Sequence, residues 1–341
     1  MSRWKALQYY IYARLLLAPL MLWAIVTLVF LLLRATTGDP ADAILGSRAP
    51  ESAKNTLREE LGLNLPLWQQ YLYYLGNLLS FNLGSSMVSK GKSVVGIIAQ
   101  HFPATAELAF FSLLFAVIIG VGIGVYGATH PKTFWGTSGR LFSIITYALP
   151  IFWVGMLFQL IFSVQLHLFP LGTRFPLGQD PPQTITGIYS LDSLLTGNLP
   201  QLMTTFYYLT LPAVTLGLLL SGIFERMVRV NLQKTLRSDY VEAARARGIR
   251  ESEILWVHAL RNALIPVITV LGLTFASLLG GAVLTEVTFS WPGLGNQLYE
   301  SISLRDYPTV QGILIFFGLI VVVASLIIDV INALIDPRIR Y

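Results

Sequence analysis

The run LLLAPLMLWAIVTLVFLLL, Leu15 to Leu33, carries no charged side chain. A bilayer core of roughly 30 Å takes about 20 apolar residues per helix, so this run alone can cross one. The stretch extends over 13–33, and similar ones follow near 104–128, 141–166, 206–230, 264–285 and 310–335. The chain is 54% hydrophobic and only 12% charged over 341 residues, which places it in the membrane class instead of suggesting two soluble domains. The expected fold is an all-α membrane protein with six transmembrane helices. Arg3, Lys5 and Arg14 resemble the start of a signal peptide, but the apolar run is too long and LLLRATTGD offers no small-x-small cleavage site. An uncleaved anchor is expected.

Orientation follows from lysine and arginine. With the N-terminus inside, fifteen of the 23 basic residues fall on the inner side, among them Arg226, Arg229, Lys234, Arg237, Arg245, Arg247, Arg250 and Arg261. Both termini are then cytoplasmic. The net charge of +5 is accounted for by these inner loops facing the lipid bilayer, and nucleic acid is not expected as a partner. The division predicted is residues 1–101 as a first helix with a long outer loop, 102–335 as a core of five helices, and 336–341 as a cytoplasmic tail.

In the outer loop, TLREELG and PLWQQYLYYLGNLL read as two short helices broken at Gly62 and Pro66. The second presents Leu67, Tyr71, Tyr74 and Leu78 at helical spacing and is expected on the outer membrane surface. The second outer loop, 167–205, contains FPLGTRFPLGQDPP. Disorder and a structured wall around an entry path are both open there.

Zero cysteines exclude disulfides, thiolate metal sites and cysteine nucleophiles. SKGKS, Ser89 to Ser93, ends like a phosphate-binding loop, yet Ser86 stands where the first glycine is required. His101, His130, His167 and His258 show neither HExxH nor i, i+4 spacing, so no metal is expected. Glu107, Glu225, Glu286 and Asp329 lie near predicted helix ends and read as boundary groups, since a carboxylate at mid-bilayer costs about 2.5–3.5 kcal/mol on insertion scales. No chain of intramembrane acids for ion coupling is visible, and no nucleophile–base pair for an intramembrane enzyme. A secondary transporter and an enzyme are therefore the weaker classes. GVGIGVYGA (Gly120 to Ala128) and LLGGAVL (Leu278 to Leu284), with Gly280 and Gly281, read first as helix-packing segments and secondly as gates. Pro150 and Pro212 are expected to kink the third and fourth helices along a candidate translocation path.

The most polar stretch, SDYVEAARARGIRESEILWVHALRNALIPV, occupies the inner loop at Ser238 to Val267. Ser238 reads as an N-cap, Asp239 and Glu242 suit the first turn, Arg245 and Arg247 the last, and Gly248 a left-handed stop. A lipid-surface helix, a solvated linker and a docking surface compete. Ala243, Ala244 and Ala246 give little hydrophobic reach and a slim profile, which favours docking.

EAARARG followed by HALRNALIPV resembles the EAA loop of ABC importer permeases: Glu242, Ala243 and Ala244, then Gly248 after three intervening residues, then Pro266. LGLNLPLWQQYLYYLGNLLSFNLGSS, FPATAELA, EVTFSWPGLGNQLYESISLRDYPTVQG and NALIDPRIRY resemble the peptide/nickel branch of that family, and in particular its first permease subunit. The resemblance implies a type I ABC importer permease fold in the cell inner membrane, with no catalytic site and no cofactor of its own. It also implies a second homologous permease, two cytoplasmic ATPase subunits that hold ATP and Mg, and an extracytoplasmic substrate-binding protein. The loop near 234–262 would be the coupling helix region: Glu242, Ala243, Ala244 and Gly248 seated in an ATPase groove, with Arg245, Arg247 and Arg250 facing its acidic groups. Di- or oligopeptides are the implied cargo, with nickel complexes or glutathione as alternatives.

Overall fold

The computed structural model describes residues 3–35, 45–46, 49–60, 64–89 and 91–335. Asp39, Asp42, Gly62, Lys90 and the tail 336–341 lie outside them. Among the described residues the regular elements are all helical. The helices are α1 (Arg3–Ala35), α2 (Glu51–Glu60), α3 (Leu67–Leu79), α4 (Val94–Thr129), α5 (Phe134–Ala148), α6 (Ile151–Gln165) and α7 (Tyr189–Leu195). They continue with α8 (Leu199–Leu236), α9 (Asp239–Ala246), α10 (Glu251–Ala263), α11 (Ile265–Leu279), α12 (Val283–Thr288), α13 (Leu294–Ser303) and α14 (Tyr307–Ile335). By length and composition α4, α8 and α14 can each cross a membrane, α5 with α6 and α10 with α11 qualify only as bent pairs, and α1 holds the apolar segment Leu16–Leu32.

Two expected spans are corrected. The stretch 141–166 is not one kinked helix, because α5 and α6 meet at 102°. Pro150 lacks an N–H and biases its predecessor to extended backbone, and Leu149 and Pro150 take ψ of 133° and 129°. Pro150 thus opens a new helix. The stretch expected over 264–285 stops at Leu279, where Gly280 is the C-cap and Gly281 takes φ +112°. Pro212 behaves otherwise: α8 runs through it unbroken. The only fixed consequence is that the Tyr208 carbonyl has no N–H four residues on to receive.

The centre of the fold is the seam of α4 against α8, the most extensive helix contact in the chain. Ala104, Leu108, Ala116 and Val125 of α4 meet Leu209, Ala213, Phe224 and Val228 of α8, all buried. Gly120 and Gly124 let the backbones close up. A Cβ on Gly124 would stand 2.8 Å from the Glu225 carbonyl oxygen and 2.9 Å from Val228 Cβ. Packing is therefore the observed role of GVGIGVYGA, as small residues in membrane helices allow.

The described parts of the loops expected on the outer side are ordered against this frame. Helix α3 lays Tyr71 and Tyr74 on Phe30 of α1, with ring centroids 5.2 and 5.5 Å apart, and Tyr71 Oη lies 2.6 Å from Thr27 Oγ1. Its outward spacing was legible; its partner is α1. The Ser86 hydroxyl, where a phosphate loop would need glycine, donates to Asp306 Oδ2 at 2.5 Å, and Thr309 Oγ1 donates to the same oxygen at 2.8 Å. Segment 167–198 is structured, not disordered. Asp192 accepts from Thr186 N, Thr186 Oγ1 and Gly187 N at 2.7–3.0 Å. Burial raises its pKa, but these donors outweigh that and hold it below the ordinary aspartate value.

Of the acids expected at the boundary, Glu107, Glu225 and Glu286 are fully buried within the protein, and Asp329 is half-buried. Arg174 reaches down from the outer loop and donates to Glu107 Oε2 from Nε at 2.9 Å and Nη2 at 2.6 Å, while Ser190 N donates to Oε1 at 2.7 Å. The guanidinium lies 3.7 Å from the Tyr189 ring centroid. Glu286 accepts from Thr105 Oγ1 at 2.8 Å and Asn296 N at 2.9 Å, and so caps α13. Glu225 pairs with Arg229 at 2.6 Å. Sequence distance hid Arg174 as the partner of Glu107 and Thr105 as that of Glu286, whereas Arg229 stands one helical turn from Glu225.

Two outcomes follow. Gly124→Val should overpack the seam at a cost of about 1–3 kcal/mol, seen as a thermal midpoint in detergent lowered by several degrees; an unchanged midpoint would contradict the close approach. Arg174→Ala leaves the buried Glu107 carboxylate with the Ser190 N–H but without its counter-charge, and breaking a buried pair typically costs about 3–5 kcal/mol. Limited proteolysis should then cut within 167–190 well before it does in the parent protein, whereas equal resistance would show that the pair does not hold the loop.

Candidate coupling loop and outer cavity

Between α8 and α11 the chain folds a compact unit in the polar loop expected on the inner side. Ser238 begins α9 through its backbone, with its carbonyl accepting from Val241 N and Glu242 N at 2.9 and 3.2 Å. Its side chain does not cap as expected; Oγ donates back to the Thr235 carbonyl at 2.5 Å. The far end closes as the spacing predicted. Gly248 takes φ +75°, Gly248 N donates to Arg245 O at 2.9 Å, and Ile249 N donates to Ala244 O at 3.3 Å. This paired bonding is a Schellman stop, which glycine adopts without a Cβ penalty. Ile249 also packs on Val241, Ala244 and Ile254, so α9 is pinned to α10.

That packing sorts the candidate residues. Ala244 is turned inward, whereas Glu242, Ala243, Ala246, Arg247, Gly248 and Arg250 are exposed. Arg245 is engaged within the chain: Nε donates to Glu251 Oε1 at 2.7 Å and Nη2 to Oε2 at 3.3 Å. The hydrogen bond to Glu251 raises the Arg245 pKa, and its counterpart lowers that of Glu251. Arg247 and Arg250 remain on the surface. Sequence reasoning missed an apolar rim, because Trp256 and Val257 are exposed beside the loop at 60% and 56%. It also missed Tyr240, whose Oη accepts from Asn262 Nδ2 at 2.9 Å and ties α9 to α10. The uneven apolar spacing of ESEILWVHAL was the available signal, and its cause is a π-helical turn over Ile254–Ala259.

The candidate path residues sit on separate elements. Pro150 starts α6, Pro212 lies in the buried stripe of α8, and Gly280 and Gly281 end α11 against Val321 and Phe317 of α14. What the break at Pro150 does position is Gln159. Its Nε2 donates to the Leu171 carbonyl at 2.7 Å and the Thr288 carbonyl at 2.9 Å, joining α6, the outer loop and α12. A cavity of about 620 Å³ opens there, bounded also by Thr173, Tyr208 and Ser290. Thr173 and Ser290 take φ of +69° and +48°, a left-handed backbone uncommon outside glycine. Thr173 N holds the turn by donating to Phe289 O at 2.8 Å. A cavity of this size falls within the range of small-ligand sites. Its walls come from four distant stretches of sequence, so no local motif announced it.

Residues 120–341 match the family described as binding-protein-dependent transport system inner membrane component. Residues 7–109 match the N-terminal family of such membrane components. The dipeptide transport system permease protein DppB of Alkalihalophilus pseudofirmus is 37% identical over 97% of this chain and 99% of its own length. The di/tripeptide transport system permease protein DppB of Pseudomonas aeruginosa is 39% identical over 94% of this chain and 95% of its own. The glutathione transport system permease protein GsiC of Pectobacterium atrosepticum is 36% identical over 98% and 99%. Among solved structures, a chain of the MetNI methionine ABC transporter in an inward-facing form matches 71% of this chain and 97% of its own with a TM-score of 0.50 at 15% identity, which is a likeness of fold. The chain belongs to the inner-membrane permease family of binding-protein-dependent ABC importers.

Proposed function

We propose that this permease carries di- or oligopeptides across the cell membrane by alternating access, driven by ATP hydrolysis on partner subunits. Peptide cargo rests on the printed names of its relatives, and glutathione is the alternative that one of them supports. The proposed topology has six spans, formed by α1, α4, the bent α5–α6 unit, α8, α11 and α14, with both termini cytoplasmic. Residues 1–101 form the first helix and outer loop, and 102–335 the core. A second permease of the same kind, two ATPase subunits and an external binding protein complete the transporter; ATP and Mg²⁺ are held by the ATPases, and no catalytic site is assigned to this chain.

The observation that carries the reading is α9, a slim helix with Glu242, Ala243 and Ala246 exposed and both ends fixed. Such a helix fits a groove on a cytoplasmic partner. Closing of the ATPases around nucleotide would draw the two coupling helices of the permease pair together. The bent α5–α6 unit, α8 and α11 would then tilt and open the path outward, a rigid-body transition in which nucleotide binding favours one of two states. The cavity beside Gln159 is the candidate point at which cargo first meets this subunit.

Co-purification tests the assembly: tagged chain should bring down ATPase subunits, and a folded chain that brings down none would end the coupling reading. Gly248→Ile places a β-branched residue in left-handed backbone, a strain on the order of 1–3 kcal/mol. It should reduce substrate-stimulated ATP hydrolysis several-fold while membrane insertion stays intact; unchanged stimulation would remove Gly248 from the seat. Cargo is decided separately, by uptake of labelled dipeptide, glutathione and nickel in cells whose own systems are deleted. Dipeptide uptake that depends on this chain is expected, and uptake of glutathione alone would replace the peptide reading.

A further inference from the structure

At the outer end of α1, away from the cavity beside Gln159, a second cavity of about 220 Å³ lies between α1, α3 and the start of α14. Its polar wall is unusual. Arg34 closes the apolar run of α1, and its Nε donates to Gln70 Oε1 at 2.8 Å while the guanidinium sits 5.3 Å from the Phe30 ring centroid. No carboxylate among the described residues pairs with it. Beside it the Tyr74 hydroxyl is enclosed and has no hydrogen-bond partner among the described residues. Asn77 and Gln311 add amides to the same wall, and Leu78 and Ile315 make the remainder apolar.

An unsatisfied buried hydroxyl is costly, and a partly desolvated guanidinium without a counter-charge among the described residues is costlier. A single acceptor-rich anion would answer both, since arginine offers a planar fork of donors matched to phosphate and carboxylate. The setting selects between those. Arg34 stands at the end of a helix whose Leu28, Leu31 and Leu32 are exposed to the surroundings, and Tyr73 at 72% and Leu72 at 58% exposure flank the cavity on α3. An apolar rim around a cationic floor matches a phospholipid, with its phosphate inside and its chains along α1.

We propose that this cavity binds a phosphate group through Arg34 and Tyr74, at the junction of the first helix, the outer loop and α14. Lipid headgroup and free phosphate share that chemistry, and the test separates them. Because the chain has no cysteine, Asn77→Cys places one thiol of this chain in the cavity wall. Its rate of alkylation is read by peptide mass spectrometry in the assembled transporter, reconstituted in neutral detergent. Adding phosphatidylglycerol vesicles should slow labelling about tenfold. Inorganic phosphate alone doing the same would assign the site to the free ion. Either protection should fall at least several-fold in Arg34→Gln and in Tyr74→Phe, the second keeping the ring stacked on Phe30 as a guard against misfolding. Equal labelling with and without both additives, as for a cavity holding water alone, overturns the proposal. Protection that survives both substitutions overturns it too.

Discussion

The architecture hangs on how closely α4 and α8 approach. In lipid, apolar side chains gain little from meeting one another, so contact between long helices must come from backbone proximity and matched shape. Gly120 and Gly124 supply the proximity on α4, and the residues they admit, Phe224, Glu225 and Val228, are among the most buried on α8. Everything else is placed from this pair. Helices α5 and α6 lean on α8, α11 and α14 close on the other side, and α13 docks on α4 through Thr105 and Trp291.

The second organising element is the set of enclosed charges. A carboxylate surrounded by protein is tolerable when donors satisfy it, and here the donors come from loops and helices alike. Arg174 and Ser190 N of α7 bind Glu107, Thr105 of α4 and Asn296 N of α13 bind Glu286, and Ser86 and Thr309 of α14 bind Asp306. Outer loops rich in proline and glycine thereby acquire defined conformations without a β-sheet beneath them. Thr173 and Ser290 can then hold left-handed backbone at the cavity, because the surrounding bonds over-determine it.

Much of this was legible from composition and spacing. Apolar length located α1, α4, α8 and α14, and the Asp239–Gly248 pattern located a capped helix with its stop at the observed residue. What failed had a physical cause in each case. Pro150 and Pro212 are the same residue in similar apolar settings, yet one ends a helix and the other does not. The difference lies in the extended backbone of Leu149 and in the buried packing around Pro212, through which α8 stays continuous, neither of which a local pattern encodes. Ser238 had the right identity for a side-chain cap, but its hydroxyl turns back to donate to Thr235 O and accepts no N–H of α9. Pairs such as Glu107 with Arg174, or Gln159 with Thr288, join residues far apart in the chain and carry no periodic signal.

One consequence concerns leverage. Helix α9 joins α8 through only Arg237 and Ser238, and its other end is pinned to α10, so it cannot swivel without moving what it is attached to. From Leu236 to Tyr208, α8 runs unbroken for about 42 Å at 1.5 Å per residue. Over that lever arm a tilt of about 5° displaces the distant end by roughly 4 Å, comparable to the width of a peptide backbone. A small tilt at the α9 end is thus geared, by helix length alone, into a displacement of several ångströms beside the cavity bordered by Tyr208.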